Sequence, residues 1–205
     1  MTGLTVAAAV LVLTACADDG DRADDPAGDP AGDPGANGPM PTEPVAADGE
    51  VTTRLPATVM DTGRPELCLG PVAESYPPQC GGPPLDGWEW AAYDGDYDQQ
   101  GNVRWGMFSV TGSWDGATVT VSSAEPVLAA VPPATELPAP PAEPLSTDEL
   151  GRIADEVRPL GGAIGAYADD TRVLVDVPYD DGSLQDWVDE EYGAGVVIVT
   201  PALID

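Results

Sequence analysis

Thirty-six Asp and Glu side chains stand against seven Arg in this 205-residue chain, and there is neither Lys nor His. Without an imidazole or a side-chain amine, Ser-His-Asp and Cys-His nucleophile systems, Ser-Lys dyads and Schiff-base chemistry are closed. His-ligated zinc and copper sites are closed as well. What remains is carboxylate work: a glycosidase-like pair, an aspartic dyad or an oxygen-ligated hard cation. Glu89 with Asp94 or Asp96 is the pair closest to the aromatic residues. A glycosidase needs two carboxyls at a set separation, however, and in so acidic a chain such neighbours arise by composition alone. Asp94-Gly95-Asp96-Tyr97-Asp98 with Gly101-Asn102 resembles a calcium loop. An EF-hand requires Gly at its sixth position and a bidentate Glu at its twelfth. Gln99 and Trp105 occupy those places, so the segment reads as an acidic hairpin loop. No catalytic residue, metal ligand or cofactor is assigned, and the chain is read as a non-enzyme.

The aromatic and sulfur residues give two further candidates. Trp88 and Trp90 share one strand face by the period of two and form a candidate platform for stacking on sugar rings, or else core. Of three cysteines, Cys68 and Cys80 are read as one disulfide once Cys16 is set aside, because paired cysteines in an exported chain most simply bridge.

Cys16 is set aside for what precedes it. Residues 4–13 are apolar except for Thr5, and no charge occurs before Asp18. A bilayer-spanning helix needs roughly 20 apolar residues, so this run suits a signal-peptide core rather than a transmembrane anchor. Leu13-Thr14-Ala15-Cys16 resembles the bacterial lipobox, in which cleavage falls before the cysteine and that cysteine takes the lipid. The resemblance implies a signal peptide over 1–15, lipidation of Cys16 and attachment to the outer face of the cell membrane. Two acyl chains anchor a protein stably by themselves. No basic residue precedes the apolar run, and we expect a start codon upstream of Met1. A net charge of −29 opposes nucleic acid and anionic membrane surfaces, leaving the lipid anchor and an envelope protein or glycan as partners.

Four segments follow Cys16. Residues 16–49, with Asp25-Pro26-Ala27-Gly28 repeated as Asp29-Pro30-Ala31-Gly32, are too poor in large apolar groups to order and read as a tether. Residues 50–125 read as a disulfide-stapled β domain, an OB-like barrel or a sandwich, with strands at 51–60, 66–69, 88–93, 103–113 and 117–122. Residues 126–145 form a proline-rich linker. Residues 146–205 read as an αββαβ module. Its first helix opens on the capping box Ser146-Thr147-Asp148-Glu149, and Ser183 is expected to cap the second. The second helix carries Asp186, Asp189, Glu190 and Glu191 outward, and Val196-Val197-Ile198-Val199 is expected as a central strand. The fold class is α+β.

The stretch Leu67-Cys68-Leu69-Gly70, Tyr76-Pro77-Pro78-Gln79-Cys80-Gly81-Gly82-Pro83-Pro84 and Gly87-Trp88-Glu89-Trp90 resembles a family of uncharacterised actinobacterial secreted proteins. The family implies export and no activity. The αββαβ order is similar to BON-type envelope domains, and its strand-helix-strand part to the propeptide lobes of secreted serine proteases. Together these lead to a non-catalytic cell-surface binding or adaptor lipoprotein. The alternatives are a carboxylate-dependent hydrolase of wall polysaccharide, and an inhibitor or folding helper of a secreted protease.

Overall fold

The computed structural model describes residues 38–127 and 137–205. The signal segment, Cys16 and most of the tether lie outside them. In chain order come β1 (Glu50–Thr53), β2 (Ala57–Asp61), β3 (Pro65–Cys68), β4 (Leu85–Asp86), β5 (Asp98–Gln100), β6 (Val103–Trp114) and β7 (Val119–Pro126). Helix α1 (Thr147–Glu156), β8 (Gly165–Ala168), β9 (Val173–Val177), helix α2 (Ser183–Tyr192), β10 (Val197–Pro201) and β11 (Leu203–Ile204) follow. The result is mostly β with two helices, consistent with α+β.

The long strand β6 organises the larger, eight-stranded sheet, which curls into a half-barrel. Its Phe108, Val110 and Trp114 alternate into the main core beside Val51, Val59, Leu67 and Val119. Along one edge of β6 run β1 and then β2, both antiparallel to it. Thr52 opposes Thr111 and Ala57 opposes Phe108, so five steps on one side match three on the other. Arg54-Leu55-Pro56 is therefore a bulge. Pro56 cannot donate to a ladder, which suits it to an interruption. On the far side, β11 pairs with β1 and β3 pairs with β2, so the sheet forks at the bulge. The hairpin of β6 and β7 turns at Asp115-Gly116, where Asp115 accepts hydrogen bonds from the backbone N–H groups of Ala117 and Thr118. Gly112 is obligatory in that hairpin: a Cβ there would lie 2.2 Å from the Thr120 carbonyl oxygen.

The second core lies between the helices and a three-stranded sheet of order β10-β9-β8. Ser146 and Glu149 form the capping box on α1. Gly182, not Ser183, is the N-cap of α2, Ser183 being already the first helical residue, and Asp180 from outside the helix accepts from the backbone N–H groups of Leu184 and Gln185. The apolar run around Val197 is an edge strand rather than a central one, since β9 takes the middle and pairs parallel with it. Gln185 covers the open edge: its Nε2–H donates to the Val197 carbonyl (3.1 Å) and its Oε1 accepts from Val199 N–H (2.9 Å). Asp189 turns inward to the Gln185 amide (3.0 Å) and is only partly exposed, whereas Asp186 and Glu190 face solvent.

The expected boundaries give way at two places. Residues 38–49 are packed rather than tethered: Pro41 and Thr42 accept from Gly161 and Gly162, and Ala47 N–H donates to Trp114. Val45 touches both cores, and its carbonyl accepts the Trp114 indole N–H at 2.7 Å. Residues 50–125 and 146–205 are joined, because β11 completes the sheet that begins with β1 and Tyr179 and Leu203 enter the main core. All of this belongs to one compact unit, Asp33–Asp205. The local signals for separate pieces were real, but two-residue strands and extended backbone contacts carry no periodicity.

Candidate functional site

The sheet's outer face is covered by the loop that the cysteines close. Cys68 and Cys80 are bonded, with Cα atoms 5.9 Å apart. In the chain-entropy model a loop of this size contributes about 3 kcal/mol. Cys68, Met60 and Trp105 form a small cluster on this face, and Tyr76 sets its ring edge against Trp105 at 5.4 Å.

Beside that loop, at the fork, lies a cavity of about 390 Å³. The bulge residues Arg54, Leu55 and Pro56 form one wall, and Leu69, Gly70 and Val72 another. Its floor is the cross-strand row Met107, Thr58 and Cys68. Ala202, at the joint of β10 and β11, closes the remaining side, held by Arg54 N–H donating to its carbonyl at 2.8 Å. Among the described residues, no carboxylate lines it. Val72 and Met107, 37 and 42 % exposed, are large apolar side chains that water reaches at its rim. Arg54 stands within electrostatic reach of Asp176 and Tyr167. Burial nevertheless holds Asp176 above the ordinary carboxylate range, and Tyr167 is raised by desolvation and then by Asp176.

A second cavity, of about 380 Å³, shares Thr58 and Met107 with the first and brings in Asp96 and Asp98. A third, of about 340 Å³, is acidic, lined by Asp48, Glu50, Asp181 and Asp205. There Tyr179 O–H donates to Asp205 at 2.8 Å, and this bond with burial pushes the phenol up to about 12. Asp181 is held low by the Ser183 hydroxyl and backbone. Among the described residues, no group of three or more His, Cys, Asp or Glu side chains is arranged to hold a metal ion.

The tryptophan platform does not form. Segment 88–93 is no strand but runs into a short 3-10 turn, Trp90–Tyr93. Trp88 and Trp90 are only 8 and 6 % exposed. Trp88 stacks on Tyr93 (4.5 Å between centroids) and meets Phe108 edge-on, while Trp90 donates its indole N–H to buried Asp61 at 2.8 Å. Both are core, and a sugar cannot stack on them from outside. Glu89, Asp94 and Asp96 are exposed. Cys16 lies outside the described residues, and no helix among those residues is long and apolar enough to cross a membrane.

Sequence reasoning missed Arg54 and the fork. The signal was Pro56 inside an apolar run that otherwise reads as one strand. Comparison with known proteins adds no relative: no family model matches the chain, and neither does a curated protein or a solved structure.

Proposed function

We propose that this protein is a lipoprotein anchored through Cys16 on the outer face of the cell membrane, and that it binds a partner molecule at the fork cavity without converting it. The observation that carries the reading is the cavity itself. It falls within the 300–1,000 Å³ of ligand sites, is walled mainly by apolar side chains, and has one guanidinium as its charged group. The lipobox-like Leu13-Thr14-Ala15-Cys16 and the resemblance to actinobacterial secreted proteins support the address. In the same reading the curled sheet is an OB-like half-barrel, and the run from α1 to β10 is an αββαβ packing module. The hydrolase alternative is weaker. Its best setting is the acidic cavity, and a general acid there needs a raised carboxyl, whereas Asp181 is lowered.

The test places a photo-crosslinking residue at Met107 in the anchored protein on cells, with Glu125 as the control position. An adduct at 107 and none at 125 is expected; adducts at neither position, or equally at both, would sink the binding reading. Globomycin treatment with mass spectrometry of the mature N-terminus tests the anchor, which an unmodified Cys16 would refute.

A further inference from the structure

Six of the seven arginines lie among the described residues, and five of these have a partner. Arg64 reaches Asp86, Arg152 reaches Glu156, and Arg158 reaches Asp155. Arg172 donates to the Pro138 carbonyl at 2.8 Å, and Arg104 lies 5.9 Å over the Trp90 ring. Arg54 has no ion pair and no side-chain hydrogen bond among the described residues, and its Nε is shut off from solvent without an acceptor. A buried donor left unmade costs free energy, more so on a charged group. In a chain of net charge −29 a bare guanidinium is the unusual arginine, and it lines the fork cavity. Its neighbour Asp176 does not satisfy it: the two form no ion pair, and burial outweighs Arg54 in setting the Asp176 carboxyl.

We propose that the fork cavity binds a carboxylate carried on a short aliphatic body, with Arg54 holding the carboxylate. With Nε shut off, the two terminal nitrogens of the planar guanidinium can take a carboxylate end-on through two parallel, charge-assisted N–H···O bonds. Leu55, Leu69, Val72 and Met107 cover the aliphatic part. The acidic field of the whole protein repels a phosphate dianion about twice as strongly as a carboxylate, and a single guanidinium offsets one charge. Two sources present this chemistry: a free aliphatic acid and the C-terminus of a peptide. The inference rests on the fork cavity being the binding site.

The test uses full-length lipidated protein in nanodiscs, with empty nanodiscs as reference, and calorimetric titration of four probes. These are hexanoate, hexanamide, the tripeptide Gly-Ala-Leu and its C-terminal amide. At least one acid binds, its amide binds at least about tenfold more weakly, and Arg54→Gln loses at least about tenfold for the acid alone. The tighter acid names the source. Val72→Trp places an indole at the cavity rim while leaving Arg54 in the sequence and is expected to abolish binding of the acid, which keeps the test valid where Arg54→Gln fails to fold. Acid and amide binding alike, binding unchanged in Arg54→Gln or in Val72→Trp, or no acid binding at about 10 mM overturns the inference. A specific adduct at Met107 alongside that failure leaves the binding reading standing and removes only the carboxylate.

Discussion

Thr53 Oγ1 accepts a hydrogen bond from the backbone N–H of Val110 at 3.1 Å. It does so where the β1–β2 run bulges away from β6, while on its other side Val110 faces Ala124 of β7. A side chain thus completes a ladder that Arg54-Leu55-Pro56 interrupts, and both groups are buried. Thr53→Val keeps the shape and removes the acceptor. A buried N–H left unmade costs about 1–3 kcal/mol. Urea unfolding is expected to show that loss with an unchanged m-value, and Thr53→Ser restores most of it. Equal stability of the Val variant would show that Val110 N–H finds another acceptor.

Trp90 and Asp61 form a buried polar contact at the border of the main core, with Gly63 N–H as a second donor to the carboxylate. Trp90→Phe leaves the carboxylate short of one donor. Hydrogen bonds to charged groups contribute about 1.5–3 kcal/mol, and a loss of that order is expected in chemical denaturation. Because Trp88 and Trp90 are enclosed, cell-wall saccharides are expected to leave tryptophan emission unchanged. A saccharide-dependent shift that disappears in Trp90→Phe would return the aromatic pair to the list of ligand sites.

Gln185 stands in for a strand along the open edge of β10. Unpaired edges are where sheets join to other chains. Gln185→Leu exposes Val199 N–H and the Val197 carbonyl, with an expected loss of about 1–2 kcal/mol and concentration-dependent self-association. Light scattering across a dilution series checks it. A variant that stays monomeric and equally stable would mean the edge is protected by something other than this amide.

The pH response has two limbs. Asp115, Glu149, Asp169 and Asp181 are held below the ordinary carboxylate range, chiefly by the Ala117 N–H, the Ser146 hydroxyl, the Thr171 N–H and the Ser183 hydroxyl respectively. A depressed carboxyl contributes stability above its unfolded pKa, and that contribution is lost as pH falls through the folded value. Asp176 runs the other way: burial raises it, so its contribution is present below the unfolded pKa and fades as pH rises through the folded one. Acidification also relieves the self-repulsion of a −29 chain. Tm is therefore expected to rise as pH falls from 7 toward the carboxylate range, chiefly through relief of self-repulsion, and to fall once the depressed carboxyls are themselves protonated. Asp176→Asn flattens the climb and Asp169→Asn softens the fall. A Tm that drops steadily from pH 7 downward would contradict the rise expected from Asp176 and from relief of self-repulsion.

Much of the fold was readable where signals are local. The alternation across Val103–Trp114 and the Asp115-Gly116 turn announce the β6–β7 hairpin, and Ser146 with Glu149 announces α1. Long-range closure was hidden. Leu203-Ile204 is too short to show a period, and residues 38–49 bind through backbone carbonyls that any sequence carries. The site hid for a similar reason: Arg54 looks like the other arginines until its lack of a side-chain hydrogen bond or ion pair among the described residues is seen in three dimensions.

The pairing of Thr52 with Ile204 bears on how the molecule is made. β1 emerges from the ribosome roughly 150 residues before its partner β11, so this part of the sheet has no template until those residues have followed. Ala202, which receives the Arg54 N–H and closes the cavity, arrives with that last strand. The fork cavity therefore takes shape only once residues about 150 positions after β1 have been made and paired.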